Sequence, residues 1–294
     1  MSNFIVSGGL GFIGAYTTLQ LVASGHKVTV VDNRSAMYGD SMYGPRRRDL
    51  LTSRNIDFSE EDIADYMAGQ PRDIDCVIHL AAFAGAKESF SKHEEYFQNN
   101  VVKTRKVFEV CAEWNIPVVY ASSSSIYAGK HPYGSTKSMV ENLAEMYEPL
   151  GLSSIGLRFF TVFGPFGRPD MALFKFAEQL WAGEQSVLTR NARREFTYIT
   201  DIVEGIAETA DELIQNPLSG PAEFRDISSG EVTFVEDAYR LLAEMLDKEP
   251  NYVTVEREKW DPLVTSSAYP LDDPVRFTDG LRKFADWFIA HKSI

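Results

Sequence analysis

The stretch Phe4-Ile5-Val6-Ser7-Gly8-Gly9-Leu10-Gly11-Phe12-Ile13-Gly14 decides how the rest of the chain is read. An apolar run enters glycines at positions 8, 11 and 14, and a helical apolar pattern continues over 12–24. Strand, glycine-rich turn and helix in that order allow a tight bend, close backbone approach to a pyrophosphate, and close packing of helix on strand. The helix N-terminus adds unpaired N–H groups and partial positive charge, which suit phosphate. A structural bend would explain the glycines equally well. Asp32 tips the balance, because it ends the next apolar run (Val28-Thr29-Val30-Val31) eighteen residues after Gly14, where an acid takes the ribose hydroxyls of an adenosine. A carboxylate there repels a 2′-phosphate, so NAD is expected rather than NADP, with Arg34 pulling the other way.

Outward from this unit the pattern repeats. Asp75-Cys76-Val77-Ile78-His79-Leu80, Pro117-Val118-Val119-Tyr120-Ala121 and the run 154–159 are apolar strand candidates, separated by helical patterns over 94–114 and 133–147. Continuous apolar strands alternating with helices predict a doubly wound α/β fold of the Rossmann kind, its parallel sheet covered on both faces. After Phe160 the rhythm changes. Gly164-Pro165-Phe166-Gly167-Arg168-Pro169 is turn-rich, helices are expected over 172–183, 201–215, 235–246 and 279–290, and short strands over 186–188 and 194–199. The expected organisation is a dinucleotide-binding domain over 1–160 and a smaller mixed α/β substrate lobe over 161–294, with some chain returning to the first domain.

The 294 residues are 44% hydrophobic and 24% charged, the balance of a globular chain, and carry a formal net charge of −13. Such acidity opposes binding to a phosphate backbone, so no nucleic-acid partner is expected. Cys76 and Cys111 are the only cysteines and support neither a disulfide framework nor a zinc site, so no metal is expected. No apolar run approaches the roughly 20 residues that span a bilayer. The N-terminus enters a strand with no charged leader, which predicts a cytoplasmic protein without membrane partners.

Tyr133-Gly134-Ser135-Thr136-Lys137 puts a phenol and an ammonium four residues apart on one helical face. Beside an oxidised nicotinamide, the ammonium favours the phenolate and makes Tyr133 a usable general base. On spacing alone a surface Tyr–Lys pair is the commoner explanation. Upstream, Ser122-Ser123-Ser124-Ser125-Ile126-Tyr127 follows the strand ending at Ala121, as a serine-rich turn at the sheet edge where doubly wound folds bind ligands. Asp62 serves either the adenine or a helix start. The run Arg46-Arg47-Arg48 is expected to be a solvated helix start.

The motifs occur in a fixed order: Gly8-x-x-Gly11-x-x-Gly14, Asp32, Asp62-Ile63, His79-Leu80-Ala81-Ala82, Asn99-Asn100-Val101, the serine run, and Tyr133-x-x-x-Lys137. They continue through Leu157-Arg158-Phe159-Phe160-Thr161-Val162-Phe163-Gly164-Pro165-Phe166-Gly167-Arg168-Pro169-Asp170-Met171-Ala172 and Arg194-Glu195-Phe196-Thr197-Tyr198-Ile199. In this order the chain resembles the extended short-chain dehydrogenase/reductases of the nucleotide-sugar epimerase branch. It is more similar to UDP-glucuronate 4-epimerases than to UDP-glucose 4-epimerases, and the likeness covers the chain up to about residue 215. The resemblance implies Tyr133 as base, Lys137 as its partner, Ser123 as the assisting hydroxyl, and Asn100 as a brace. It implies NAD held by Gly8, Gly11, Phe12, Ile13, Gly14, Asp32, Asn33, Asp62, Ile63, Leu80, Ala81, Ala82 and Asn100 together with Tyr133 and Lys137. It places Lys87, Ser123, Ser124, Thr161, Arg168, Met171, Arg194 and Arg257 against the UDP-sugar, with arginine forks on its carboxylate and pyrophosphate. His79 is expected to be a packed residue.

The activity implied is C4 epimerisation of a UDP-hexose, UDP-glucuronate to UDP-galacturonate, through a transient 4-keto sugar with NAD recycled. Related dehydratases and decarboxylases carry a carboxylate just after the hydroxyl residue. Ser124 and Ser125 stand there instead, which favours epimerisation. Other readings are an epimerase of a neutral or N-acetylated UDP-hexose, a nucleotide-sugar 4-ketoreductase, or a dinucleotide-sensing regulator. Three features depart from the pattern. The segment Ala128-Gly129-Lys130-His131-Pro132 is short, which implies a more open pocket or a different substrate; Lys87 stands where glucuronate epimerases usually have arginine; and the tail around Arg257 and Asp261 only approximates the UDP-contacting segment. A homodimer through helices near 94–114 and 133–148 is also implied.

Overall fold

The strand that carries the glycine turn, β1 (Asn3–Ser7), pairs in parallel with β2 (Lys27–Val31) on one side and with β4 (Cys76–His79) on the other in the computed structural model. The structure describes residues 1–35, 44–52, 54, 56–69, 73–128 and 130–292, the side chains of 44–46, 50 and 128 aside. Outside β2 lies β3 (Asp57–Ser59); outside β4 lie β5 (Val118–Ser123) and β6 (Ser154–Phe159), all in parallel register. With β10 (Glu223–Ile227) at the far edge, the sheet has seven strands in the order β10-β6-β5-β4-β1-β2-β3. The order reverses at β1, so the segments leaving β1 and β4 flank the crevice where doubly wound sheets hold ligands.

Helices connect these strands: α1 (Phe12–Ala23), α2 (Gly44–Thr52), α3 (Ile63–Ala68), α4 (His93–Phe97), α5 (Lys103–Trp114), α6 (Ser125–Ala128) and α7 (Pro132–Tyr147). The strands bury Phe4, Val6, Val77, Ile78, Val118, Val119 and Ile155, as expected for a sheet covered on both faces. Against them α5 buries Thr104, Val107, Phe108, Cys111 and Ala112, an apolar stripe at helical spacing.

The chain divides into two compact units, one of residues 1–159 with 203–225 and one of 160–202 with 226–294. The second unit holds β7 (Thr161–Phe163), α8 (Ala172–Ala182), β8 (Ser186–Thr189), β9 (Arg193–Tyr198), β11 (Val232–Phe234), α10 (Val235–Met245), β12 (Tyr252–Val255) and α11 (Phe277–Lys292). Helix α9 (Ile199–Gln215) runs from it into the first. A three-stranded sheet β11-β9-β7 and a parallel pair β12-β8 form its framework, with Phe163, Phe196 and Phe277 packed on one another. Among the described residues no helix is long and apolar enough to cross a membrane.

Two expectations change here. The serine run is not wholly a turn, since β5 continues through Ser122 and Ser123, which pair with Arg158 and Phe159 of β6. The helical stretch over 94–114 is α4 and α5 joined by a π-helical turn, Gln98–Val102, which carries Asn100. Such turns insert a residue and re-aim the side chains around them.

Candidate active site

The glycine turn is shaped by close backbone contact. Gly8 has φ +71° and donates its N–H to the Val31 carbonyl at 2.9 Å, and a Cβ there would stand 2.8 Å from the Ala81 nitrogen. A Cβ on Gly14 would overlap the Gly8 carbonyl oxygen, so α1 can start against the turn only with glycine. Gly11 occupies the N-cap and supplies no side-chain cap, so the first N–H groups of α1 have no side-chain acceptor from it. Close backbone approach and helix polarity together fit a dinucleotide pyrophosphate. Phe12 is buried edge-on to Tyr16, and Ile13 is half-buried beside it.

Asp32 and Arg47 grip the Leu10 peptide from both sides. The Asp32 carboxylate accepts the Leu10 N–H at 3.0 Å and the Arg34 N–H at 2.9 Å, while Arg47 Nε donates to the Leu10 carbonyl at 2.8 Å. Burial raises the Asp32 carboxyl above its ordinary range despite those bonds and the nearby guanidinium groups of Arg47 and Arg34. Arg47 is therefore not the solvated residue expected of the basic run. It is 7% exposed, because its charge answers Asp32 and its Nε–H finds a buried carbonyl. Arg48 keeps to the surface with Glu60 at 3.0 Å, and the Arg46 side chain lies outside the described residues. Arg34 also faces Glu60, at 3.6 Å. Asn33 accepts from Ser35, and Asp62 caps α3 through the Ala64 N–H while pairing with Lys103 at 2.9 Å. Ile63 is in the core.

The segment after β4 closes the other side. Leu80 donates to the Ser7 carbonyl at 3.1 Å, and Leu80, Ala81 and Ala82 are half-buried. His79 lies buried between Ser7 Oγ (2.7 Å) and Thr104 Oγ1 (2.9 Å); burial and then Lys137 push its pKa down to about 3. It is neutral at physiological pH, a packed residue as the sequence implied. Asn100 brackets the Phe83 peptide, accepting its N–H at 2.7 Å and donating to its carbonyl at 2.9 Å, and also donates to Thr136 Oγ1 at 3.1 Å. Its amide thus braces the β4 segment against α7. Lys87 is exposed at the end of that segment.

At the end of β5, Ser123 is buried and its Oγ accepts the Ser125 N–H at 3.1 Å, and Ser124 is half-buried. Lys137 is 4% exposed and donates from Nζ to the Ala121 carbonyl at 2.7 Å, two residues before Ser123. Burial pulls its pKa down to about 8 although Glu141 pulls upward. Tyr133, half-buried in the first turn of α7, sits where helix polarity favours an anion. Lys137 is thus buried at the end of the strand that carries Ser123.

In the second unit, Thr161, Arg168 and Met171 line one cavity of about 20 Å³, room for about one water. Arg168 grips Asp170 with both Nε (3.0 Å) and Nη2 (2.6 Å). Arg194 and Arg257 converge on Asp261, the first on its carboxylate at 2.7 Å and the second on its carbonyl at 3.0 Å.

One further residue, Glu141, had no motif to announce it, although its contacts Ser122 and Arg158 lie in the quoted runs. Glu141 accepts from Ser122 Oγ (2.5 Å) and is held by Arg158 through Nε (2.9 Å) and Nη2 (2.8 Å), while Arg158 Nη1 donates to Tyr127 OH at 2.8 Å. The available signal was helical spacing, since Glu141 follows Lys137 by the same four residues that separate Lys137 from Tyr133.

Known proteins resemble this chain in sequence and fold. UDP-glucuronate 4-epimerase 1 of Arabidopsis thaliana is 30% identical over 98% of this chain and 77% of its own. The UDP-glucuronate 4-epimerase of Thermodesulfobacterium geofontis is 34% identical over 70% of each chain. The fold matches that of UDP-glucuronic acid 4-epimerase from Bacillus cereus, solved with UDP-glucuronic acid and NAD, with a TM-score of 0.84 at 24% identity over 98% of this chain and 99% of the other. The chain belongs to the NAD dependent epimerase/dehydratase family, whose sequence model matches residues 4–217.

Proposed function

We propose that the protein is a nucleotide-sugar 4-epimerase working with bound NAD, and that its substrate is UDP-glucuronate. The family includes both epimerases and dehydratases, and the observation that carries the choice is the end of β5. Ser124 and Ser125 follow Ser123, so no carboxylate is placed there to protonate a leaving hydroxyl. Epimerisation needs a base and no such acid.

The residues divide the work as follows. Gly8, Gly11 and Gly14 give the pyrophosphate its approach, and Asp32 offers acceptors to ribose hydroxyls. Bound NAD supplies the oxidant that is restored within each cycle. Tyr133 takes the C4 hydroxyl proton and later returns it; Lys137, charged below about pH 8, stabilises the phenolate; Ser123 hydrogen-bonds the same oxygen. Arg168 is assigned to the substrate carboxylate, which has to replace Asp170 on the guanidinium fork that now holds it in two-point fashion. Arg194 and Arg257 serve the pyrophosphate. Phe97, Met139 and Met146 expose apolar surface on α4 and α7, which supports a homodimer through those helices, to be checked by light scattering. We place the enzyme in the cytoplasm.

NMR of product mixtures from UDP-glucuronate, UDP-glucose and UDP-N-acetylglucosamine tests reaction and substrate together. UDP-galacturonate should form from the first. An eliminated, unsaturated or deoxy product would overturn epimerisation, and turnover confined to a neutral sugar would overturn the substrate. Tyr133→Phe should retain NAD and lose all but a few per cent of turnover, by about the 10²–10⁴-fold typical of general bases.

A further inference from the structure

We propose that His131 is the positioning residue for Tyr133, a role that rests on the proposed function of that tyrosine. Helix starts are normally capped by short oxygen side chains. Here an imidazole does it: His131 Nδ1 accepts the Gly134 N–H at 3.0 Å, Pro132 follows at the first helical position, and the ring is 5% exposed. A backbone N–H can only donate, so Nδ1 keeps its lone pair and the ring proton sits on Nε2. The cap is therefore uncharged, where an aspartate would set a negative charge beside the phenol.

The ring does more than a cap requires. Its plane lies 4° from that of Tyr133 with centroids 6.0 Å apart, an offset-parallel pair. Tyr96 approaches the same phenol edge-on, at 6.3 Å and 77°. Tyr96 is itself fully buried, packs against Phe83 at 5.8 Å, and its hydroxyl lies within 3.1 Å of the Ala84 and Gly85 carbonyls in the segment after β4. The Tyr133 ring thus has a parallel imidazole stacked on it and a second, fixed aromatic ring set nearly perpendicular to it. Serine at position 131 would satisfy Gly134 equally and leave that face open. The chain reaches α7 only four residues after the last residue of α6, so the capping residue itself is available to line the phenol. A base must stay within hydrogen-bond reach of its proton, and a displacement of about 1 Å can lower the rate about 100-fold.

Two variants of the NAD-loaded enzyme separate ring from cap. His131→Asn keeps an acceptor for Gly134 and removes the ring; His131→Phe keeps a ring and removes the acceptor. His131→Asn should lower kcat about tenfold or more with KM and melting temperature near wild type, whereas His131→Phe should melt lower yet keep kcat within about threefold. Wild-type kcat in His131→Asn, or an equal loss in both variants, would overturn the proposal. A readout independent of substrate accompanies them: ¹³C NMR of protein labelled at the tyrosine ring carbon bearing the hydroxyl, with the Tyr133 signal assigned by its loss in Tyr133→Phe. That signal should move in His131→Asn, and an unmoved signal would overturn the proposal. Wild-type protein inert on every UDP-sugar would instead overturn the proposed function, leaving the NMR comparison to decide the role of His131.

Discussion

Replacing Lys137 with methionine should make the protein more stable and abolish turnover. The Lys137 ammonium is 4% exposed and its pKa falls from the ordinary 10.5 to about 8, with burial as the largest cause. At about 1.36 kcal/mol per pH unit, that fall corresponds to roughly 3 kcal/mol of destabilisation by the charged form. Between pH 8 and 10.5 the unfolded lysine holds a proton that the folded one has released, so wild-type stability rises with pH across this window and the full penalty is present below it. Methionine fills the space without the charge but loses the bond to the Ala121 carbonyl, worth about 1 kcal/mol or somewhat more for a charged donor. The net gain at pH 7 is about 2 kcal/mol, or a melting temperature raised by about 4–8 °C. Circular dichroism melts of both proteins with NAD removed, at pH 7 and pH 9.5, measure it. A variant that melts at or below wild type at pH 7, or a gap that does not narrow at pH 9.5, would refute the reasoning.

Other perturbations test neighbouring claims. Glu141→Gln removes the counter-ion of Arg158 in a largely buried pair, so it should lower stability by about 2–3 kcal/mol and the melting temperature by about 5 °C or more; a change under about 1 °C would show that the pair contributes little. Gly14→Ala drives a Cβ onto the Gly8 carbonyl, and protein purified with this change should carry little NAD by absorbance after denaturation; wild-type stoichiometry would contradict the close approach. Arg168→Met should raise KM for UDP-glucuronate about tenfold or more and leave any UDP-glucose turnover unchanged; equal effects on both sugars would remove the carboxylate assignment.

The first half of the fold was legible because its strands are buried on both faces and so are continuous apolar runs, such as Cys76-Val77-Ile78-His79. The short strands β8 and β9 were expected, but three others were not. β3 is Asp57-Phe58-Ser59, β10 has three charged residues among its five, and β12 buries only alternate residues partially, so each takes its strand form from a neighbour rather than from its own pattern. The end of β5 misled for a related reason. Serines 122 and 123 read as turn, yet Arg158 and Phe159 on β6 extend the ladder under them. Arg47 lies in a run of three arginines that looks solvated, and only the folded turn supplies the Leu10 carbonyl and Asp32 that bury it.

The same division holds at the site and bears on its chemistry. Glycine spacing, Asp32 and Tyr133-x-x-x-Lys137 are local patterns; the glycines do form the turn between β1 and α1, while Lys137 is buried where spacing alone gave a surface pair. Glu141, Arg158 and His131 depend on contacts between elements, the first two as an ion pair beside the end of β5 and the third as the uncharged cap of α7. Lys137 and Arg158 bring two positive charges to the end of β5 and Glu141 only one negative, while His79 is neutral and Ser122 uncharged. Glu141 is committed to Arg158 by a two-point fork and so compensates Lys137 only in part. One positive charge is left over beside the buried Lys137. An ionised Tyr133 would balance it, which is a physical reason for the chain to keep a lysine there that weakens its own fold.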